Sequence, residues 1–283
     1  MYSADDDGAS SPTVHLRLHA YPAIGVAGRG VELPLKGGLA LIARLAAASG
    51  RLARAAAAAL LWPDAEGGLA RARLRRLMHD VNRRLGVDLI AGDADTVWLD
   101  ATRHGLHCDW TETRRVARRA LHEGEVSPEE AAPLLRRDAH RLLDGFVLGA
   151  DTFAEWLEAS RRELEAQVAQ ALERLVAQWL DQGRTRAALA ASQQLVRIDP
   201  CAEAGYAGLM AARARQGDSA GVAAAYFECA ESLRHDLGVR PSAAFERLHA
   251  EAMSRCAQEA GRPAFLDLLA WPAAAGRALA VPA

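Results

Sequence analysis

One stretch of the chain, from Gly68 to Gly86, concentrates basic side chains at close spacing. The guanidinium group of arginine presents parallel N–H donors that match a phosphate or the O6/N7 edge of guanine, and histidine can donate or accept a hydrogen bond. These side chains could therefore recognise an anionic, base-bearing polymer through hydrogen bonds. The set comprises Arg71, Arg73, Arg75, Arg76, His79, Arg83 and Arg84.

The apolar residues of the same stretch predict one amphipathic helix. Gly86 stands where a C-terminal cap belongs, directly after basic residues whose charge suits that end of the helix dipole. The helix is expected to bury one side and to expose the opposite one. The stripe that would be buried consists of residues three or four apart, namely Leu74, Leu77, Met78, Val81 and Leu85.

At about 100° per residue, the basic side chains divide into a centre and its flanks. Arg76, His79 and Arg83 lie opposite the apolar stripe, so they would face base edges in a DNA major groove. A solvated basic face on an ordinary surface helix is the alternative interpretation, because such faces are common. The other members of the predicted DNA-binding set are Arg71 and three flanking residues better placed for phosphates, Arg73, Arg75 and Arg84.

The composition restricts any nucleic-acid surface to a local patch. The 283 residues leave room for about two domains, and the hydrophobic fraction of 51% is ample for packed cores. The formal net charge is −2, so acidic segments offset the basic stretch. The chain shows no apolar run of membrane-spanning length, an acidic N-terminus unlike a secretory signal, and four widely separated cysteines. We expect a cytoplasmic protein with reduced cysteines and no membrane partner.

No residue pattern indicates catalysis or a bound cofactor. The motifs GxSxG, HExxH and GxxxxGK[ST] do not occur. His104, His107 and Cys108 are close together, but no matching second pair of ligands lies nearby, so an ordinary loop is favoured over a metal site. We therefore predict no enzymatic activity, no metal and no cofactor.

The first hundred residues follow the order of a winged helix. Alternating apolar residues over 14–18 and 31–35, with turn-forming glycines between them, predict an antiparallel sheet of three or four strands. Helices are predicted over about 37–48, 52–61 and 68–85, and a hairpin follows over 87–99. In this arrangement the third helix enters the groove and the hairpin is the wing.

From residue 101 onward the sequence predicts helices. Ser127-Pro128-Glu129-Glu130 is a strong helix start, and that helix would end near Asp144-Gly145. A long helix over 153–180 ends at Gln182-Gly183, a pair that recurs 34 residues later at Gln216-Gly217. Each pair precedes an alanine-rich helix, and this period is that of tetratricopeptide repeats. The predicted fold is mainly α, with an N-terminal α+β winged helix-turn-helix followed by an all-α tetratricopeptide-like domain.

These patterns predict four segments. Residues 1–13 form a disordered tail, residues 14–100 the winged-helix DNA-binding domain, residues 101–258 the tetratricopeptide-like domain, and residues 259–283 a C-terminal tail. The tail contains an apolar cluster, which we expect to dock on the last helix. The cluster comprises Phe265, Leu266, Leu268, Leu269 and Trp271.

Several short motifs, in the same order along the chain, resemble the Streptomyces antibiotic regulatory protein (SARP) family of transcription activators. The resemblance covers roughly Val14 to Ala257. In the first domain the motifs are Leu61-Trp62-Pro63-Asp64, Arg71, Leu74, Arg75 and Arg83-Arg84-Leu85-Gly86. In the second domain they are Leu143-Asp144-Gly145-Phe146, Phe153, Glu155-Trp156-Leu157-Glu158, Arg161, Ala188-Leu189, Asp199-Pro200, Ala225-Tyr226 and Leu237-Gly238-Val239-Arg240-Pro241-Ser242.

The resemblance implies both an architecture and a set of partners. The first domain would be an OmpR-type winged helix that binds double-stranded promoter DNA, usually as a dimer on direct repeats. The second would be a bacterial transcriptional activator domain that forms a homodimer and helps to contact RNA polymerase. The function implied is that of a sequence-specific transcription activator.

Acidic residues near the expected DNA surface support a second hypothesis. The wing carries Asp93 and Asp95, where a phosphate contact requires neutral or basic residues. Asp80 lies near the exposed face of the basic helix, where it could accept from a cytosine amino group or repel phosphate. The alternative function is a helical-repeat interaction adaptor whose winged helix no longer binds DNA.

Overall fold

The computed structural model describes residues 12–33, 36–48, 50–101 and 103–260. Most of the two predicted tails, including the apolar cluster of residues 265–271, lies outside the described residues. Contacts between Cα atoms divide the chain into two compact units between Arg174 and Leu175. The domain boundary predicted after residue 100 stays a prediction.

The first unit combines short strands with helices, and the second is helical. The strands are β1 (Val14–Arg17), β2 (Ala23–Val26), β3 (Arg29–Val31), β4 (Arg51–Ala53), β5 (Ile90–Gly92), β6 (Thr96–Leu99) and β7 (Leu106–Cys108). The helices of the first unit are α1 (Lys36–Ala47), α2 (Arg54–Leu61), α3 (Gly67–Leu85), α4 (Asp109–His122) and α5 (Ala132–Leu135). Helix α6 (Asp151–Asp181) leads into the second unit, with α7 (Thr185–Ile198), α8 (Glu203–Ala214), α9 (Ser219–Ser232), a π-helical segment (Leu233–Leu237) and α10 (Ala243–Ala260). The predicted fold class is confirmed.

The first sheet has the strand order β3-β2-β1-β7 and follows from the alternation seen in the sequence. On β1, Val14 and Leu16 are buried while His15 and Arg17 are exposed. Strands β1, β2 and β3 pair antiparallel as predicted, but β7 pairs parallel to β1. The antiparallel prediction was therefore wrong for the fourth strand, because local alternation cannot identify a pairing partner that lies beyond the wing.

The connection between β2 and β3 is a two-residue turn. Ala27 (φ +48°) and Gly28 (φ +77°) both adopt the left-handed conformation, which is typical of tight hairpins. Gly25 and Gly30, predicted as turn formers, are instead paired strand residues. The strand predicted from the alternation over 31–35 is wrong for residues 32 and 33, since β3 ends at Val31, and residues 34 and 35 lie outside the described residues.

The second sheet has the order β4-β6-β5 and contains the predicted hairpin. β5 and β6 pair antiparallel, with Ile90 opposite Leu99, which confirms the wing. The helix predicted from Leu52 begins only at Arg54, because β4 pairs with β6 and places Leu52 opposite Val97. Pairing with the wing thus overrides the helix propensity of this alanine-rich segment.

The helix predicted from Ser127 to about residue 144 is wrong beyond its first turns. The capping contacts do form, since Ser127 N donates to Glu130 Oε2 at 3.0 Å and Glu130 N donates to Ser127 Oγ at 3.2 Å. The chain then makes only the short α5 and returns to the end of β1, where Leu143 N donates to Leu18 O at 2.8 Å. Because Leu143 is fully buried there, tertiary pairing replaces the expected helix.

In the second unit, the sequence repeat corresponds to successive packed helices. Gly183 (φ +71°) and Gly217 (φ +70°) adopt the left-handed conformation at the turns before α7 and α9. Helices α7 to α10 pack against their neighbours in chain order, and α10 also packs on α8. In the described parts of the chain, no helix has the length and apolar character that crossing a membrane requires. The core of the unit includes Tyr206, Leu209, Met210, Val222 and Phe245.

Candidate nucleic-acid interface

Helix α3 is anchored by the apolar stripe that its sequence predicts. The stripe packs toward α1 and α2, and each of its five residues is at most 8% exposed. A Cβ atom built on Gly38 of α1 would lie 2.6 Å from Val81 Cγ2, so glycine permits α1 to approach α3 closely. This packing fixes which side of α3 faces solvent.

The basic side of α3 is open to solvent. The side chains of Arg76, His79 and Arg83 expose 86%, 73% and 75% of their surface. The helix therefore buries leucines on one side and presents cations along the other. The remaining members of the predicted set are exposed as well, namely Arg71, Arg73, Arg75 and Arg84.

Asp80 lies among the three side chains at the centre of this face. Its carboxylate is 3.8 Å from Arg76 Nε, 3.6 Å from His79 Nδ1 and 3.6 Å from Arg83 Nη2, and 26% of its side chain is exposed. Ion pairs of this length between solvated groups are weak, so another anion can replace the carboxylate. Asp80 thus gathers the three cationic or polar groups without burying them.

The C-terminal end of α3 is fixed by contacts that the sequence did not reveal. Gly86 ends the helix in the left-handed conformation, as predicted, but nothing in the sequence indicated that Arg84 Nε donates to Glu32 O at 3.1 Å. Asn82 Nδ2 donates to Ile90 O at 2.8 Å while Ile90 N donates to Asn82 Oδ1 at 2.9 Å. Since Ile90 opens β5, Asn82 ties the helix to the wing. The sequence signal that could have indicated this contact is a single asparagine placed between the apolar stripe and the basic face of α3.

The acidic tip of the wing is engaged in its own turn. Asp93 Oδ1 accepts from Asp95 N at 2.9 Å and from Thr96 N at 2.7 Å. The backbone hydrogen bond from Thr96 is the largest cause that lowers the pKa of Asp93, and the charge of Arg51 acts in the same direction. The Arg54 side chain donates to the Asp93 carbonyl oxygen. The sequence did not reveal either arginine as a neighbour of the wing, because the pairing of β4 with β6 was not predicted.

The residues weighed as metal ligands do not converge. His107 is exposed and stacks on His15 with ring centroids 5.0 Å apart, whereas Cys108 is buried on the other side of β7. Burial raises the pKa of the Cys108 thiol, which disfavours the thiolate that a metal requires. Within the described residues, no group of three or more His, Cys, Asp or Glu side chains is placed to hold a metal ion.

Comparisons with known proteins agree with this architecture. The family model of the bacterial transcriptional activator domain matches residues 108–252, more than half of the chain. Among solved structures, the chain is similar to EmbR of Mycobacterium tuberculosis in complex with a low-affinity phosphopeptide. That match has a TM-score of 0.56 and 18% sequence identity, and it covers 90% of this chain and 71% of that one, which shows a shared fold. No curated protein matches the chain in sequence.

Two independent features thus agree on one assignment. The first unit carries a winged-helix-like region, and the helical domain that follows matches an established family. Family members regulate transcription, and the family is not a class of enzymes. The chain belongs to the bacterial transcriptional activator domain family and is a transcriptional regulator of the SARP type.

Proposed function

We propose that this regulator binds double-stranded promoter DNA by placing α3 in the major groove as its recognition helix. Arg76, His79 and Arg83 face the base edges in this arrangement, where arginine can read O6 and N7 of guanine. The phosphates on either side are bound by Arg71, Arg73, Arg75 and Arg84.

The exposed cationic side of α3 is the observation that carries the proposal. A major groove admits one α-helix, and the buried stripe of α3 leaves the opposite side free to enter it. The carboxylate of Asp80 is the anion that the central side chains contact in the free protein. On binding, phosphates and base edges replace it at little cost, because these exposed pairs are weak.

The wing supports the same surface. The Asp93 carboxylate stays charged, because hydrogen bonds from Thr96 lower its pKa, and the positive charge of Arg51 offsets part of its repulsion of phosphate. Arg51 also stacks over the ring of Trp98, with Cζ 4.7 Å from the ring centroid. We assign Arg51 and Arg54 a phosphate-binding role beside the wing.

The family resemblance extends the proposal to partners. Activators of this type act in the cytoplasm as dimers on direct repeats and contact RNA polymerase through the helical domain. The proposal includes both partners and requires no cofactor.

A helical-repeat adaptor without DNA affinity is the second candidate. The observations that favour it are Asp80, within the recognition surface, and the exposed Asp95 at the tip of the wing. The two functions differ in one property, because DNA binding through arginines weakens with salt and an adaptor shows no salt-dependent binding to duplex DNA.

Fluorescence anisotropy with duplexes selected from a random library tests the proposal. Arg83→Ala should weaken DNA binding by about 1–3 kcal/mol and relax the base preference at one position of the duplex. Arg75→Ala should weaken binding to all sequences alike and lower the slope of log K against log salt by about 0.9. Arg247→Ala, which removes an exposed arginine from α10, is the matched control and should change neither value. Equal binding by all three variants, or no salt-dependent binding by the wild-type chain, would contradict the proposal.

A further inference from the structure

Helix α3 carries one large apolar side chain that its packing does not use. Leu69, in the first turn, is 51% exposed, whereas the apolar stripe from Leu74 to Leu85 is buried. The same helix therefore has two kinds of leucine. The leucines of the apolar stripe pack α3 against the core of the first unit, whereas Leu69 points away from this core.

The position of Leu69 around the helix places it with the cations. At about 100° per residue, Leu69 lies within about 20° of Arg76 and about 40° of Arg73. It is also close to the start of the helix, where recognition helices contact base edges. A Cβ atom added to Gly67 or Gly68 would meet nothing within 4 Å, so the surface around Leu69 is open.

From this placement we infer that Leu69 is a specificity-determining residue that packs against the C5-methyl group of a thymine. The inference rests on the proposed function, since it needs α3 to lie in the major groove. The thymine methyl is the apolar group that bases display there, and leucine is the apolar side chain on the basic face that is large enough to cover it. The cations around Leu69 hold the helix against the backbone, so the contact is buried only on DNA.

The spacing along the helix also predicts where the thymine lies. Leu69 and Arg76 are seven residues apart, which corresponds to about 10 Å along the helix axis. Base pairs are stacked about 3.4 Å apart and a recognition helix lies at an angle to the DNA axis, so at most about three base-pair steps separate the thymine from the base that Arg76 reads. The bound sequence therefore contains a thymine at a fixed distance from the position that depends on Arg76, within about three base pairs of it.

Replacing thymine by deoxyuridine tests the inference, because it removes only the methyl group. The full-length chain and Leu69→Ala are titrated against the selected duplex with each thymine replaced in turn. For the wild-type chain, one replacement should weaken binding about fourfold, the value of one buried methyl-sized group. For Leu69→Ala the same replacement should have no effect. Leu248→Ala, which truncates an exposed leucine of α10, is the control and should keep the wild-type profile.

The possible outcomes separate this inference from the proposed function. Wild-type binding with the same deoxyuridine profile for Leu69→Ala would overturn the role of Leu69 while leaving DNA binding intact. If Leu69→Ala lost association with a protein partner but kept the wild-type deoxyuridine profile, the role of Leu69 in reading thymine would also be overturned. A wild-type chain that binds no duplex in a salt-dependent way would refute the proposed function itself.

Discussion

Gly38→Ala tests whether the close packing of α1 on α3 holds the recognition surface. The new Cβ would lie 2.6 Å from Val81 Cγ2, a distance at which one group must move. Val81 is buried and β-branched, so its side chain has no alternative rotamer at low cost. Overpacking of this kind costs about 1–3 kcal/mol, and alanine returns up to about 1 kcal/mol of helix propensity. We expect a net loss of about 0–3 kcal/mol in the free energy of unfolding relative to the wild type, and of about 1–3 kcal/mol relative to an alanine on α1 that gains the propensity without the overpacking.

The neighbouring glycine is a matched control on the same helix. A Cβ on Gly37 would lie 3.6 Å from Leu77 Cδ2, which is ordinary van der Waals contact, so Gly37→Ala should be neutral or stabilising. Urea denaturation followed by circular dichroism compares the two variants at an unchanged m-value. Combining Gly38→Ala with Val81→Ala should give less destabilisation than the sum of the two single changes. Equal stability of Gly37→Ala and Gly38→Ala would refute the reasoning.

Three further changes act on the recognition surface and the wing. Asp80→Asn removes the carboxylate shared by three exposed side chains, so anisotropy titrations should show about threefold to tenfold tighter binding to arbitrary duplex DNA. Asn82→Ala leaves the buried Ile90 backbone groups without their partner and should lower the free energy of unfolding in urea by about 1–3 kcal/mol. The pKa of Asp93 is lowered chiefly by the Thr96 backbone hydrogen bond, so its stabilisation is complete above an unfolded-state pKa of about 3.9 and is lost as pH falls through the lower folded-state value. Thermal denaturation should therefore show the stability advantage over Asp93→Ala to be constant from about pH 5 to 7 and to shrink below about pH 4.

Each of these expectations has a clear contrary result. Unchanged or weaker DNA binding by Asp80→Asn would show that Asp80 does not compete with DNA for the arginines. An Asn82→Ala chain as stable as the wild type would remove the link between α3 and the wing. A stability difference at Asp93 that grows as the pH falls would reverse the sign of its titration.

The recognition helix was predictable because its signals are local. Apolar residues from Leu74 to Leu85 repeat at helical spacing and are buried. The same spacing places the arginines on the opposite, exposed side of the helix. The helix ends at Gly86, Gly183 and Gly217 were also predictable from the sequence, since each glycine adopts a left-handed conformation that other residues rarely tolerate. Local periodicity and capping therefore account for the predicted elements that the structure confirms.

The errors arose where distant backbone pairing decides the structure. Leu52 lies in an alanine-rich segment with helix propensity, yet β6 offers it a strand partner. Ser127 and Glu130 make the capping contacts of a helix, but the chain beyond α5 forms backbone hydrogen bonds with the end of β1 instead of continuing as a helix. The Asn82 contact with the wing was missed for the same reason, because its partner is a backbone group rather than a side-chain pattern.

Arginine modification in the presence of DNA tests the central claim most directly. Phenylglyoxal reacts with accessible guanidinium groups, and mass spectrometry reports the extent of reaction at each arginine of the full-length chain. We expect a selected duplex to protect Arg73, Arg76 and Arg83 on α3, while the exposed Arg247 on α10 reacts equally with and without DNA. Equal reaction of the α3 arginines in both samples, at DNA concentrations that saturate the chain, would contradict the claim that this helix binds DNA.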